Sequence, residues 1–304
     1  MSLERDLKQS REHEMRTYLD SMKAMYENAL AQNGEIYEIA RASTRDFREI
    51  TADAIKADSR IIKILRYAIA PSISQMKFGQ FFGMGSIDKF EKDRLEVGTA
   101  KHDALSKIAP KIAEFATENL DANRFLWVSD PNKKITDITL ASDYAKGWTC
   151  SIAADQNAQT RYRNWRKDQQ EHAIASTLVK IGYTKSSYRG IVTKHTDIKI
   201  GEFTQELGVK GRTRQKADLI ARSKKTKKLV LIEAKAVGVE IDSTKRIKEC
   251  CDKANDWTSG PDLGNPAVAT VIAGFFNSTG IENLLASNIS VVWEHRLADL
   301  SKIL

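Results

Sequence analysis

An α/β fold of the α+β kind is expected: a mixed central β-sheet flanked by helices, with a mostly helical N-terminal region in front of it. Three observations predict it. Residues 1–119 carry apolar side chains at helical spacing, the stretch beyond residue 120 alternates β-rich runs with amphipathic ones, and the positive charge is gathered in that second half. The 304 residues suffice for one large domain or two ordinary ones. The change of character sets the expected boundary: a helical region over 1–120 and the sheet-bearing region over 121–304.

Within the first region, Leu7, Met15, Leu19, Met22, Met25 and Leu30 mark one helix, and a second is expected over Ile36–Arg66 with a break near Thr51. Pro71 and the glycines at 79, 83 and 85 mark a loop around QMKFGQFFGMG, and 87–119 is helical again with an interruption at Pro110. RFLWV (124–128), DITLA (137–141) and WTCSIA (148–153) read as short strands. Tyr162–Ile181 reads as a helix stopped by Gly182. Strands are then expected over Arg189–Lys194, Lys216–Arg222, Leu229–Val237, Ala267–Phe275 and Ile289–Trp293. Helices are expected over Asp242–Trp257, over Gly280–Ala286 and from Glu294 onward.

Composition narrows the function. With 41% hydrophobic and 29% charged residues the chain is globular rather than disordered. No apolar run approaches the roughly 18 residues that cross a bilayer, so no membrane partner is expected. The charged start, MSLERDLKQSREHEMR, lacks the apolar core of a secretion signal, which points to the cytoplasm. Three cysteines, two of them adjacent at 250 and 251, exclude a disulfide framework and a CxxC metal site. Net charge is +8, but residues 161–253 alone hold 23 basic and 11 acidic residues. Such a block attracts a polyanion, of which nucleic acid is the commonest.

The chemistry concentrates in QKADLIARSKKTKKLVLIEAKAVG, residues 215–238. ADLIAR and LVLIEAKAV flank SKKTKK, which is too polar for a core, so a β-hairpin is expected. In the second strand Leu229, Leu231, Glu233 and Lys235 share one face by alternation, and the opposite face is apolar too, as in a central buried strand. With a loop over 224–227, Ser223 pairs with Lys228 and Asp218 with Glu233. Two carboxylates about 5 Å apart across a ladder repel unless a cation lies between them. Both are hard oxygen ligands suited to Mg²⁺, and Lys235 follows on the same face, where it can hold a water. A metal-activated water is a nucleophile for a phosphodiester. The competing structural reading is a buried salt-bridge group, for which the string ExK alone is no less compatible.

These residues resemble the PD-(D/E)xK motif of type II restriction endonucleases: Asp218, then a hairpin, then Glu233-Ala234-Lys235. Ala217 stands where the proline of the motif's name would be. The likeness extends over roughly residues 165–300 and is similar to the catalytic region of HindIII-like enzymes. It runs from a helix with Gln170-Glu171 through KADLIA and LIEAKAVG to a basic helix ending KANDW, the strand AVATVIAGFF and the segment NISVVWEHRLADL. The resemblance implies a restriction-endonuclease-like core in a homodimeric enzyme that cuts double-stranded DNA with Mg²⁺ and leaves 5′-phosphates. A cognate DNA methyltransferase would belong to the same system without being a bound partner. Carried over, Asp218 and Glu233 are metal ligands, Lys235 orients or activates the water, and Glu171 is the added carboxylate that family members often take from a helix before the sheet.

Arg212, Arg214 and Lys216 in KGRTRQK, and Lys245 and Lys248 on the following helix, are candidates for phosphate contacts, against the plain reading of solvated surface. The five histidines form no metal-binding spacing, and Cys250 and Cys251 read as packing. Two other functions fit part of the pattern: a repair or recombination nuclease on the same core, and a DNA-binding protein whose acidic pair is only structural.

Overall fold

The chain is described by a computed structural model covering residues 2–129, 138–260 and 262–304. It divides into two compact units, Met22–Arg161 and Met1–Ser21 with Tyr162–Leu304. Its fold is the expected one: a mixed sheet with flanking helices and a helical N-terminal region.

Among the described residues, the unit Met22–Arg161 has helices as its regular elements, with one antiparallel bridge between Ile69 and Leu120. It holds most of α1 (Leu3–Ser43), then α2 (Ala52–Ala57), α3 (Ile61–Ala68), α4 (Gln75–Phe81), α5 (Asp88–Glu91), α6 (Ala100–Glu118), α7 (Leu126–Ser129) and the first part of α8 (Ile138–Lys180). Ile61, Ile62, Ile64 and Leu65 of α3 are wholly buried against Phe78, Phe90 and Ile112. The helix expected over Ile36–Arg66 breaks at Ser43, and its second part restarts at α2, where the Thr51 hydroxyl caps the Ala54 N–H.

Three local expectations fail here, each for a tertiary reason. QMKFGQFFGMG is not a loop, because its first part forms α4, capped by Ser74 and holding Phe78 in the core. Pro110 does not interrupt α6. It lies on the exposed side while Leu105, Ala109, Ile112, Ala113 and Ala116 bury the other, so core contacts offset the lost hydrogen bond, about 3 kcal/mol. Neither RFLWV nor WTCSIA is a strand. The first is the turn of α7, and the second lies in α8, where Ala145, Thr149 and Ala153, and beside them Cys150, Ala154 and Ala158, are buried at four-residue spacing. A stripe of small residues with helical period outweighs the β preference of Trp, Thr, Cys and Ile. Most of DITLA from Ile138 onward is the start of α8, and Asp137 lies outside the described residues.

The second unit carries the sheet. Among the described residues it has six strands in sequential order: β1 (Thr184–Lys185), β2 (Glu202–Lys210), β3 (Arg214–Arg222), β4 (Leu229–Val237), β5 (Ala267–Gly274) and β6 (Ile289–Trp293). β2, β3 and β4 are antiparallel, whereas β1 runs parallel to β2, and β4, β5 and β6 run parallel to one another. The strand expected over Arg189–Lys194 reduces to a single bridge between Val192 and Val209. β2 takes its place, unforeseen because EFTQELGVK has neither apolar alternation nor a continuous apolar run.

β4 lies at the centre and is buried along most of its length. Leu229 and Leu231 pack on one face with Ile247, Cys250, Ala254 and Trp257 of α9 (Glu240–Thr258) and with α10 (Ser278–Ala286). Val230, Ile232 and Ala234 pack on the other with Ile174 and Leu178 of α8 and with Leu300 of the terminal helix α11 (Leu300–Ile303). A 3-10 segment over Glu294–Asp299 precedes α11, where one continuous helix was expected.

The first turns of α1 are built into this unit. The Ser10 hydroxyl accepts the Gly274 N–H at 2.8 Å, at the end of β5. Gly274 has φ +93°, and a Cβ there would lie 2.0 Å from the Val237 carbonyl oxygen. Gly274→Ala should therefore cost about 1–3 kcal/mol of stability, read by urea denaturation. A loss under about 0.5 kcal/mol would show that β5 relaxes freely at this point.

Candidate active site

The hairpin has the expected register. Leu219, Ile220, Ala221 and Arg222 face Ile232, Leu231, Val230 and Leu229, and the Ser223 N–H donates to the Lys228 carbonyl across the 224–227 turn. The ladder stops at Leu219, one pair short of Asp218 and Glu233. Here simple alternation fails. Ala217 packs with the α9 face while Leu219 packs with the opposite one, so β3 changes face over these three residues. β2 does the same, with Phe203 on one face and Leu207 and Val209 on the other. Between them Glu206 has φ +57°, a conformation that costs a non-glycine residue free energy.

Asp218 sits at this distortion. Its Oδ2 accepts the Ala234 N–H at 2.9 Å, so a side chain takes the place of a ladder carbonyl. The expected direct pairing of Asp218 with Glu233 across a ladder is thus replaced by a carboxylate inserted at the fork between β3 and β4.

Glu233 is 1% exposed. Lys235 Nζ donates to its Oε2 and Lys253 Nζ to its Oε1, both at 2.7 Å. Burial pulls the Lys235 pKa down, but the Glu233 charge and hydrogen bond outweigh it and hold the pKa above the ordinary lysine value. Lys235 thus donates to Glu233 from a largely buried position on the same strand.

Glu171, on α8, is also buried. Burial and then the nearby Asp218 charge raise its carboxyl above the usual range, with Lys167 opposing them. Lys167 Nζ lies 3.2 Å from Glu171 Oε1, yet that oxygen makes no aligned hydrogen bond. Lys167 also reaches Glu206 Oε1 at 3.4 Å, which Lys216 Nζ shares at 2.9 Å. A run of alternating charges thus borders Asp218. Gln170, beside Glu171, donates to the Val271 carbonyl at 3.2 Å in β5.

The remaining candidates are less gathered. Arg212 and Arg214 are exposed on the approach to β3, and Lys245 and Lys248 are exposed on α9 before Lys253. The lysine of α9 that reaches a site carboxylate, that of Glu233, is Lys253, which was not among the expected site residues. Its signal lay in KANDW: Trp257 is core, and a residue four positions earlier shares its side of the helix.

Among the described residues no group of three or more His, Cys, Asp or Glu side chains stands close enough together to hold a metal ion. The donor set nevertheless fits a hard divalent cation. Asp218, Glu233 and Glu171 are buried carboxylates, and Glu171 keeps a buried oxygen without a hydrogen bond in the field of Asp218. A cation there would compete with Lys167 for that oxygen and relieve the like-charge repulsion with Asp218.

Comparison with known proteins supplies the family. A model of the XamI restriction endonuclease family matches residues 45–293. The type II restriction enzyme SalI of Streptomyces albus G is 26% identical over 298 residues, which cover 93% of this chain and 91% of that enzyme. Among solved structures, protein VC1899 from Vibrio cholerae aligns over 92% of this chain and 55% of its own at 11% identity. Its TM-score of 0.26 is too low to bear on the fold. With most of its length matched by the family, the chain belongs to the XamI restriction endonucleases and is a site-specific deoxyribonuclease.

Proposed function

We propose that the protein is a type II restriction endonuclease of the PD-(D/E)xK kind, hydrolysing double-stranded DNA in a Mg²⁺-dependent reaction that leaves 5′-phosphates. The observation that carries this reading is the buried Asp218 carboxylate on the Ala234 N–H at the fork between β3 and β4, with Lys235 hydrogen-bonded to the buried Glu233 one residue along and the Glu171 carboxyl in the field of Asp218. Asp218 and Glu233 would hold Mg²⁺, with Glu171 as a third carboxylate. When bound, that ion supplies a Lewis-acid charge for the phosphate under attack. Lys235 would orient or activate the attacking water, and no covalent enzyme intermediate forms. Arg212, Arg214, Lys216, Lys245 and Lys248 would contact backbone phosphates, giving affinity that falls steeply with salt without reading bases.

The enzyme would act as a homodimer in the cytoplasm, alongside a cognate DNA methyltransferase that it does not bind. Residues 1–120 would serve dimerisation or embrace the DNA, and 121–304 would form the nuclease region. Digestion of phage DNA with and without Mg²⁺ tests the whole reading. Discrete bands that need the metal support it, a smear indicates a non-specific nuclease, and no cutting leaves a DNA-binding protein.

Glu171 has its own test. Glu171→Gln should lower cleavage on the order of a hundredfold. It should also leave stability unchanged or raised, because the amide removes a charge that burial and Asp218 both oppose. A wild-type cleavage rate would remove Glu171 from the site.

A further inference from the structure

Glu233 is held from both sides, and the two lysines that hold it differ in what else they touch. Lys235 lies two residues along the same strand, and among the described residues its hydrogen bond is to Glu233 Oε2. Lys253 comes from α9, twenty positions away, and is bound three ways. Its Nζ donates to Glu233 Oε1 and to the Lys216 carbonyl, each at 2.7 Å, and lies 5.7 Å from the centre of the Trp257 ring. Lys216 stands two residues before Asp218, beyond the last backbone pair of the β3–β4 ladder. Where that ladder has ended, Lys253 therefore joins the chain of β3 to the side chain of β4. With the Asp218 carboxylate on the Ala234 N–H, it spans the fork in which the two acidic side chains lie.

We infer that Lys253 is a second lysine of the active site, a positioning residue that fixes the Glu233 carboxylate and the opening of the β3–β4 fork. This rests on the reading of Asp218, Glu233 and Lys235 as the cleavage site. Trp257 is wholly buried, and Cys250 and Ala254 pack on the same face of the sheet, so α9 presents the ammonium from a rigid base. Two of the three Lys253 N–H donors are engaged, one on the Glu233 carboxylate and one on the Lys216 carbonyl, so its contacts within the protein are made across the fork.

The test is steady-state cleavage of a plasmid bearing the recognition site, in Mg²⁺, by the wild type, Lys253→Met and Lys253→Arg. Misplacing a reacting group by about 1 Å costs on the order of a hundredfold. Lys253→Met should accordingly lower kcat by about 30- to 100-fold with KM for DNA within about twofold. Lys253→Arg, which keeps the charge and two donors, should recover at least about tenfold of that loss. Where Lys253→Met does not fold by circular dichroism, Lys253→Gln is read by the same criteria. A kcat within about threefold of wild type, or a loss confined to KM, overturns the inference, the latter marking Lys253 as a phosphate contact. Asp218→Asn separates the two levels. If that variant still cleaves, the site reading itself fails, whereas an inactive Asp218→Asn beside an active Lys253→Met overturns only the role of Lys253.

Discussion

Lys235→Ala stops cleavage while DNA binding persists. The expected loss in kcat is about 10³-fold, the scale of removing one charge-stabilising donor from a reacting centre. Affinity for the recognition site should change little, because one lysine is a small part of an interface that neutralises many phosphates. The fold should survive, since Lys253 stays on Glu233 Oε1 and keeps the buried carboxylate paired. Asp218→Ala should be equally inactive. It should bind DNA more tightly without metal, because a negative charge near the scissile phosphate is gone, and should lose some stability because the Ala234 N–H is left without its acceptor. Gel-shift and single-turnover cleavage on the same preparations separate binding from chemistry. A Lys235→Ala enzyme that cuts near the wild-type rate would deprive the proposed site of its chemical basis.

Arg166→Met unfolds more than any surface change should. Arg166 is 4% exposed at the side chain, with Nε on Glu14 Oε2 at 2.9 Å and two nitrogens on the Glu294 carboxylate at 3.0 and 2.6 Å. Burial works against its charge, but the hydrogen bonds and charges of Glu294 and Glu14 prevail and raise its pKa. The Tyr162 hydroxyl donates to the other Glu14 oxygen at 2.8 Å. Removing the guanidinium strands two enclosed carboxylates, which costs about 3–5 kcal/mol. Arg166→Lys keeps the charge, loses the fork and should fall between the two. Urea denaturation monitored by tryptophan fluorescence gives the values, and a loss below about 1 kcal/mol for Arg166→Met would mean that the cluster is solvated in solution. The contact also explains why the start of α1 belongs with the sheet: Ser10 and Glu14 of that helix answer Gly274 and Arg166.

The elements that the sequence predicts well are those whose burial pattern is local. LVLIEAKAV is apolar on both faces and bounded by polar turns, and it is the central strand; KIAPKIAEFATE has a one-sided apolar stripe and is a helix despite its proline. WTCSIA and EFTQELGVK are misjudged because their conformation is imposed from outside. The first is carried within a 43-residue helix by buried alanines on either side, and the second pairs with β3 although its own side chains are half exposed. The candidate site divides in the same way. Asp218, Glu233 and Lys235 stand out because charges on buried strands demand partners. Lys253 stands out less: its spacing from Trp257 in KANDW puts it on the buried side of the helix, but nothing local says which carboxylate that side will meet.

The sequence by itself determined the fold class, the hairpin register and the acidic and basic groups on it, since these follow from periodicity of two or 3.6 and from turn chemistry within a few residues. Tertiary structure decided the geometry of the site. The face change at Glu206 and Asp218, the Asp218 carboxylate on the Ala234 N–H and the reach of Lys253 to Glu233 depend on how strands and a helix distant in sequence pack together. The physical reason is that the free energy of a buried charge is set by whatever surrounds it in space, and that surrounding is assembled only when the chain folds.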